Sequence, residues 1–149
     1  MSNLDKNSVA YCGMYCEDCW LRKENLSEAA GELLNKVKTR EFRQLAKGLP
    51  EMVPMLNGLS HYNQFIEFLE SVCFVECREY CRSGGGIPNC EIRKCCMEKS
   101  KTGCWECGEY KVCAILSWLE PAHPGACARN LDAIKNFGIE NYLKGEKYW

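Results

Sequence analysis

Apolar residues recur at helical spacing through the first half of the chain. One helix is predicted after Ser27, a residue type that caps helix starts, and should end near Gly48-Leu49-Pro50, because proline disfavours helical geometry in the residue before it. A second helix is predicted to begin after Ser60. The residues expected on the buried faces of the two helices are Ala30, Leu33, Leu34 and Val37, and Phe65, Phe68, Leu69 and Val72.

Shorter helices are predicted in the second half of the chain. Residues 112–119 and 130–137 carry helical patterns, and Gly138 is a suitable C-terminal cap for the second of them. Residues 139–143 are expected to add a last turn. No stretch sustains the alternation of apolar and polar residues typical of a strand. The chain is therefore predicted to be mainly α, a small single domain of short helices and irregular loops organised around cysteine-bound metal.

The cysteine content indicates the chemistry of the chain. The chain has 13 cysteines among 149 residues, and none of them lies in 20–72. We therefore expect one cysteine-rich metal-binding domain over 1–149, with 20–72 as a helical Cys-free excursion and 73–127 as the Cys-rich part. A polar N-terminus and the lack of any apolar run of about 20 residues predict a cytoplasmic protein. In a reducing compartment, cysteines at this density indicate metal binding rather than disulfides.

The spacing of the cysteines suits metal ligands. Cys104-Trp105-Glu106-Cys107 is a CxxC turn that can present two sulfurs to one ion, and Cys113 follows closely. The three thiols of the N-terminal hook (residues 12–19) are one ligand short of a tetrahedral site, so the fourth ligand is expected to be a small molecule or a residue beyond 72. In the second case the hook folds back onto the C-terminal half. The predicted metal ligands are Cys12, Cys16, Cys19, Cys77, Cys81, Cys90, Cys95, Cys104, Cys107 and Cys113.

Nearness in sequence suggests how these thiols divide into sites. One predicted site is local and consists of Cys77, Cys81, Cys90 and Cys95. The hook would then share partners with the CxxC turn and Cys113. If the second helix continued beyond Cys73, the cysteines at 73, 77 and 81 would project from one of its faces.

Three cysteines are left out of the predicted ligand set. Cys73 follows the apolar face of the second predicted helix and is interpreted as a core residue. Adjacent cysteines do not easily serve one ion, so Cys95 is preferred and Cys96 is left over. Cys127 is also left over. Because a structural zinc site is worth on the order of 10–16 kcal/mol, Cys16→Ser is expected to destabilise more than Leu34→Ala, which should cost about 2–5 kcal/mol. Cys127→Ser is expected to be nearly silent.

Basic residues lie among the cysteines, at Arg78, Arg82, Arg93, Lys94, Lys99 and Lys101. Zinc held by four thiolates carries a charge of about −2, which nearby cations can offset. The net charge of the chain is −1, so there is no overall basic field for nucleic acid. We interpret these residues as partners of the thiolates rather than as a nucleic-acid surface.

Four motifs follow one another in a specific order: Tyr11-Cys12-Gly13-Met14-Tyr15-Cys16-Glu17-Asp18-Cys19, Cys90-Glu91-Ile92-Arg93-Lys94-Cys95, Cys104-Trp105-Glu106-Cys107-Gly108-Glu109-Tyr110, and Asn130-Leu131 leading to Gly138-Ile139-Glu140. This order resembles an uncharacterised cysteine-rich family of bacteria and archaea, domain of unknown function 3795. The resemblance covers nearly the whole chain and implies metal binding by the shared cysteines. The family often has a close CxxC before its Cys-Glu-Ile-Arg segment, whereas this chain has Cys77-x3-Cys81.

Zinc is the predicted metal, because closed four-thiolate sites with short spacings suit it. The alternative is an iron–sulfur cluster for electron transfer or redox sensing, which groups of cysteines also hold. Cys12-x3-Cys16-x2-Cys19 is the spacing of the radical S-adenosylmethionine enzymes. A complete barrel of the kind that those enzymes elaborate takes about 250 residues, so we interpret this match as coincidence.

No catalytic residue is predicted. The only two histidines, His61 and His123, belong to no triad order or HExxH motif, and His123 lies in a proline turn where a structural role is favoured. The expected function is a metal-binding protein whose zinc is structural and whose surface meets another protein. Neither nucleic acid nor a membrane is an expected partner, and the balance favours a protein that is not an enzyme.

Overall fold

The computed structural model describes residues 5–149 apart from Glu76 and the side chain of Leu21. Its α-helices are α1 (Trp20–Lys23), α2 (Leu26–Val37), α3 (Arg40–Met52), α4 (Tyr62–Phe74), α5 (Glu91–Glu98), α6 (Ala114–Ser117), α7 (Ala126–Phe137) and α8 (Ile139–Lys144). Short 3₁₀ helices lie at Lys6–Ser8, Cys16–Asp18, Pro54–His61, Cys81–Ser83, Cys104–Glu106 and Tyr110–Val112. An isolated bridge between Val9 and Tyr15 is the only β pairing in the described part. The predicted mainly α class is therefore confirmed.

The chain divides into two compact units. The first unit contains the N-terminal segment through Cys19 together with Arg78–Trp149, and the second unit is Trp20–Cys77. The first unit is thus discontinuous in sequence. The predicted Cys-free excursion, 20–72, lies inside the second unit, which runs on to include two cysteines. Among the described residues, no helix has the length and apolar character needed to cross a membrane.

The second unit has an apolar core where α2 and α4 pack against each other. Ala30, Val37 and Leu69 are its buried residues. Leu34 and Val72 pack against them, as the periodic pattern predicts. These residues recur at i, i+3, i+4 and i+7, which aligns them along one face of each helix.

Three residues predicted to be buried in the second unit are exposed: Leu33, Phe65 and Phe68. Ile66 and Cys73 contact the core in place of the two phenylalanines. They stand at i and i+7, two helical turns apart, on the same face of α4 as the buried leucine between them. The prediction was wrong because both apolar rows of α4 have helical spacing and only packing decides between them.

The first predicted helix is divided into α2 and α3 at Thr39. The hydroxyl of Thr39 accepts a hydrogen bond from the backbone N–H of Phe42 at 3.2 Å and so caps the start of α3. The predicted end near Gly48-Leu49-Pro50 is wrong, because α3 continues to Met52 with Pro50 inside it. Pro50 costs the helix one backbone hydrogen bond, and the N–H of Val53 still donates to the carbonyl of Leu49 at 2.8 Å to close the last turn.

Two further helix boundaries differ from the prediction. α2 begins before Ser27, after Asn25, whose φ of 49° is a left-handed conformation that asparagine tolerates. α4 starts close to the predicted position but ends at Phe74. The cysteines at 77 and 81 lie beyond the end of α4. They therefore do not project from one of its faces together with Cys73, as they would on a longer helix.

The C-terminal helices follow the prediction more closely. α7 ends before Gly138, whose φ of 79° lies in the region that glycine adopts without strain, and α8 adds the expected last turn. The hydroxyl of Tyr142, on α8, donates to the carbonyl of Gly13 at 2.8 Å and holds the N-terminal hook against α8. The helix predicted over 112–119 is reduced to α6, which follows a 3₁₀ turn.

Two arginines hold the loops of the first unit. Arg82 donates to the carbonyls of Val9 at 2.8 Å and Thr102 at 2.6 Å. Arg93, on α5, donates to the carbonyl of Gly85 at 2.8 Å. These charge-assisted hydrogen bonds satisfy loop carbonyls that have no helical partner.

Gly85→Ala is expected to destabilise the first unit by about 2 kcal/mol or more. A Cβ at Gly85 would lie 1.6 Å from the carbonyl oxygen of Glu79, and backbone cannot move aside as a side chain does. Gly48→Ala is the matched control, since nothing lies within 4 Å of its Cβ and alanine in a helix is favoured over glycine by roughly 0.5–1 kcal/mol. Urea melts of both variants measure the difference; a wild-type melt for Gly85→Ala would contradict the close approach.

Candidate functional site

Cysteine side chains make up much of the core of the first unit. Those in the core are the buried Cys16, Cys96 and Cys127, with the half-buried Cys12, Cys81, Cys90, Cys104 and Cys113 packed against them. All 13 cysteines lie in the described part of the chain, and none is in a disulfide. Thiols gathered in this way form a donor set for metal ions that prefer sulfur ligands, such as zinc.

Five thiols line one cavity of about 320 Å³, which we call the thiol cavity. They are Cys95, Cys96, Cys104, Cys107 and Cys113. The last turn of α5 supplies the first two, a 3₁₀ turn supplies the next two, and the residue before α6 supplies the fifth. Three local elements therefore bring their sulfur atoms to one space.

The CxxC motif of the thiol cavity has the tight turn that its spacing predicts. The backbone N–H of Cys107 donates to the carbonyl of Cys104 at 2.9 Å and closes the turn. The hook contains the same turn, in which the N–H of Cys19 donates to the carbonyl of Cys16 at 3.2 Å. The first unit thus carries two CxxC turns of one kind.

The sulfur atoms of Cys96 and Cys104 lie 3.6 Å apart in the thiol cavity. Two thiolates bound to one tetrahedral zinc, each at about 2.3 Å, are separated by about 3.8 Å. The pair therefore already has the spacing of two ligands of one ion. The hydrogen bond between them lowers the pKa of Cys96 and raises the pKa of Cys104, because one proton suffices for both sulfurs.

Cations lie close to these thiols. The hydrogen bond with Cys104 has the largest effect on the pKa of Cys96, and the charges of Arg82 and Lys101 lower that pKa further, against the effect of burial. The sulfur of Cys95 interacts with the ammonium group of Lys99 and raises the pKa of Lys99. Three of the basic residues expected to offset thiolate charge are thus beside thiols.

A second group of thiols lies in the same core but does not line the thiol cavity: Cys12, Cys81, Cys90 and Cys127. The thiols of Cys12 and Cys127 share a hydrogen bond, which raises the pKa of Cys12 and lowers the pKa of Cys127. Cys127 is only 2% exposed. This burial beside another thiol argues against a nearly silent Cys127→Ser substitution.

The structure brings the predicted ligands together in a different grouping from the one suggested by nearness in sequence. Cys95, Cys104, Cys107 and Cys113 share the thiol cavity, Cys12, Cys81 and Cys90 share the second group, Cys16 and Cys19 lie in the hook, and Cys77 lies in the second unit. Two of the cysteines left out of the predicted ligand set lie beside predicted ligands: the sulfur of Cys96 is 3.6 Å from that of Cys104, and Cys127 packs in the same core as Cys12.

No three cysteine, histidine, aspartate or glutamate side chains among residues 5–149, Glu76 aside, already surround a point where an ion would sit. The close thiols come as pairs with other thiols nearby. The chemistry of the donor set fits zinc, and so does the separation of Cys96 and Cys104. Binding requires further thiols of the thiol cavity to turn toward that pair.

His123 takes part in an aromatic contact. Its ring meets the ring of Trp149 edge-on, with the centroids 5.5 Å apart. Burial lowers the pKa of His123 and so favours its neutral form. This packing supports the interpretation of His123 as a structural residue.

These features define a helical, cysteine-rich protein whose thiols cluster in one of two units. The chain belongs to the family described as Protein of unknown function (DUF3795), whose model matches residues 8–118. No curated protein and no solved structure matches the chain. The family match contains every predicted ligand and ends before Cys127.

Proposed function

We propose that the protein is a zinc-binding protein in which thiolates of the thiol cavity hold the ion in a structural site. The observation that carries the proposal is the 3.6 Å separation of the Cys96 and Cys104 sulfurs, in a cavity lined by three more thiols. Four thiolates would complete a tetrahedral shell around zinc. Such a closed shell leaves no position open for a substrate.

The residues around the thiol cavity supply the positive charge that a four-thiolate site needs. Each thiol gives up its proton when it binds zinc, and the resulting site carries a charge of about −2. Lys99 and Lys101 line the same cavity, and the guanidinium of Arg82 acts on Cys96. These cations favour the thiolate forms that bind the ion.

An iron–sulfur cluster is the competing cofactor. In a [4Fe–4S] cluster each thiolate binds a different iron atom, so its cysteine sulfurs lie farther apart than two sulfurs on one ion, whereas a [2Fe–2S] cluster has two thiolates on each iron. The sulfur separation therefore argues against a [4Fe–4S] cluster, and the absorption spectrum distinguishes zinc from a [2Fe–2S] cluster. Cys96 and Cys104 are close enough to share one ion.

The cellular role that we propose is contact with another protein. A closed structural site stabilises loops and thereby fixes the surface that they form. The first unit consists of short helices and loops, which makes its surface dependent on such a site. In this role the zinc stabilises the fold, and the surface of the first unit contacts the partner.

Protein purified anaerobically in the presence of reductant is expected to contain tightly bound zinc and to be colourless, because zinc has a filled d shell. Elemental analysis and an absorption spectrum of the same sample measure both properties. A visible absorption band that dithionite bleaches would assign an iron–sulfur cluster instead. A folded preparation without metal would refute both cofactors.

A further inference from the structure

Two sulfur atoms of the thiol cavity are in direct contact. The sulfurs of Cys96 and Cys104 lie 3.6 Å apart, and the two residues are eight positions apart in the sequence. The sulfurs of a disulfide are about 2.05 Å apart, so a bond between these two needs an approach of about 1.5 Å. Small rotations of two cysteine side chains cover such a distance. The pair is therefore placed for covalent joining.

The end of α5 fixes the position of Cys96. The backbone N–H of Lys101 donates to the carbonyl of Cys96 at 2.8 Å, and that of Ser100 donates to the carbonyl of Met97 at 3.1 Å. With Ser100 at a φ of 51°, these two hydrogen bonds form the Schellman motif that ends many helices. The chain therefore turns back directly after α5.

The backbone around Cys104 is fixed as well. Its N–H donates to the carbonyl of Tyr11 at 2.8 Å. The carboxylate of Glu106 accepts hydrogen bonds from the N–H and the hydroxyl of Thr102, at 2.9 Å and 2.5 Å, and so holds the segment before Cys104. Both cysteines thus stand on hydrogen-bonded backbone, and the short loop over 97–103 keeps their sulfurs side by side.

The thiol cavity gives a small oxidant access to the pair. Both sulfurs belong to residues that line this space of about 320 Å³, which is about ten times the roughly 30 Å³ that one water molecule occupies. A molecule as small as hydrogen peroxide therefore fits inside. Cys104 is half-buried, whereas Cys96 is 3% exposed. The cavity, rather than the outer surface, is thus the route to Cys96.

We infer that Cys96 and Cys104 are a redox modification site, which peroxide converts to a reversible disulfide that empties the thiol cavity of zinc. In the first step one sulfur attacks hydrogen peroxide, an S–O bond forms, the O–O bond breaks and hydroxide leaves. In the second step the other sulfur attacks this sulfenic acid, the S–S bond forms and the hydroxyl group leaves as water. Each sulfur loses one electron, and the two thiol protons complete two water molecules. A dithiol restores both thiols by exchange.

The disulfide leaves too few ligands for the ion. Thiolates bind zinc, and a disulfide contains none. Five thiols line the cavity, and the disulfide removes two of them. The remaining three, Cys95, Cys107 and Cys113, are one short of a four-thiolate shell. The loss of zinc rests on the proposed function, whereas the formation of the disulfide does not.

The test treats anaerobically purified protein with a small excess of hydrogen peroxide, blocks the remaining thiols with iodoacetamide and maps unreduced tryptic peptides by mass spectrometry. Trypsin cuts after lysine, so the two cysteines leave on separate peptides, 95–99 and 102–111. These two peptides are expected as a linked pair, joined through Cys96 and Cys104, that dithiothreitol separates. Zinc released to a chromogenic chelator should rise in step, to about one ion per disulfide.

Three variants sharpen the test. Cys96→Ser and Cys104→Ser should each abolish the linked pair. Cys73→Ser is the matched control, because this half-buried thiol lies in the second unit, where it donates to the carbonyl of Ser27 at 3.7 Å. It should give the linked pair and the zinc release of wild type. The peptide map of wild type decides the case in which a cavity variant fails to fold.

The outcomes separate the modification site from the proposed function. Peroxide-treated wild type without the linked pair would overturn the inference, and so would a disulfide inside 102–111 that joins Cys104 to Cys107 instead. Zinc that stays bound after the disulfide between Cys96 and Cys104 has formed would overturn the control of the ion. The linked pair in protein that never held zinc would refute the proposed function and support the modification site.

Discussion

Removing the proposed zinc with a chelator is expected to unfold the first unit and to leave the helices of the second unit in place. Apart from α7, which has 12 residues, the helices of the first unit are short, with eight residues in α5, four in α6 and six in α8, and isolated helices below about 12–15 residues are marginal in water. Much of its core consists of thiols, among them those that would bind zinc. A structural zinc site is worth on the order of 10–16 kcal/mol, whereas a whole domain is typically stable by about 5–15 kcal/mol.

The second unit is expected to stay folded because its helices pack around an apolar core of their own. α2, α3 and α4 have 12 or 13 residues each, and α2 packs on α4 around Ala30, Val37 and Leu69. Hydrogen exchange followed by mass spectrometry reports on each unit separately. The chelator preloaded with zinc is the control for any direct effect on the protein. Unchanged exchange in 78–149, or equal loss of protection in both units, would contradict the expectation.

Arg82→Ala is expected to destabilise the first unit by about 3 kcal/mol or more. Its guanidinium forms two short hydrogen bonds to loop carbonyls and lies 4.6 Å from the ring centre of Tyr11 and 5.5 Å from that of Trp105. Hydrogen bonds from charged groups contribute roughly 1.5–3 kcal/mol each, and a cation over an aromatic ring adds about 0.5–2 kcal/mol. Urea denaturation followed by tryptophan fluorescence measures the loss.

Arg129→Ala is the matched control for Arg82→Ala. Arg129 is exposed, and it also donates to two carbonyls and lies over an aromatic ring, that of Tyr148 at 4.4 Å. Its hydrogen bonds are 3.3 Å long and open to solvent, so its loss should cost less than about 1 kcal/mol. Arg82→Lys should fall between wild type and Arg82→Ala, since lysine keeps the charge but not the planar fork. Equal effects at both arginines would show that Arg82 has no special role.

Helices with a long regular pattern could be predicted from the sequence, and short ones could not. α4 and the end of α7 have apolar rows or a glycine cap that fix their type and position. α5 was missed because its cysteines were interpreted as ligand spacing. Ile92 and Cys96 stand at i and i+4 and are both buried, and this pattern indicates a helix once cysteine is counted as apolar.

Counting cysteine as apolar would also have predicted that Cys127 lies on α7. Cys127, Asn130, Leu131 and Ile134 stand at i, i+3, i+4 and i+7, and all four are buried on α7. Beginning that helix at Asn130 hid the pattern. Which thiols of 78–149 pack with the hook could not be predicted, because long-range packing decides it and no local spacing encodes that packing. The thiol cavity is different, since its five cysteines all lie within residues 95–113.

The discontinuity of the first unit sets the order in which a newly made chain can fold. Translation proceeds from the N-terminus, so Cys12 leaves the ribosome roughly 115 residues (127 minus 12) before Cys127. At about 5–20 residues per second, this interval lasts roughly 6–23 s. Trp20–Cys77 emerges whole during that time, while the thiols of the hook still have no partners from 78–149. The nascent chain, more than the finished protein, is therefore the form that oxidants reach most easily.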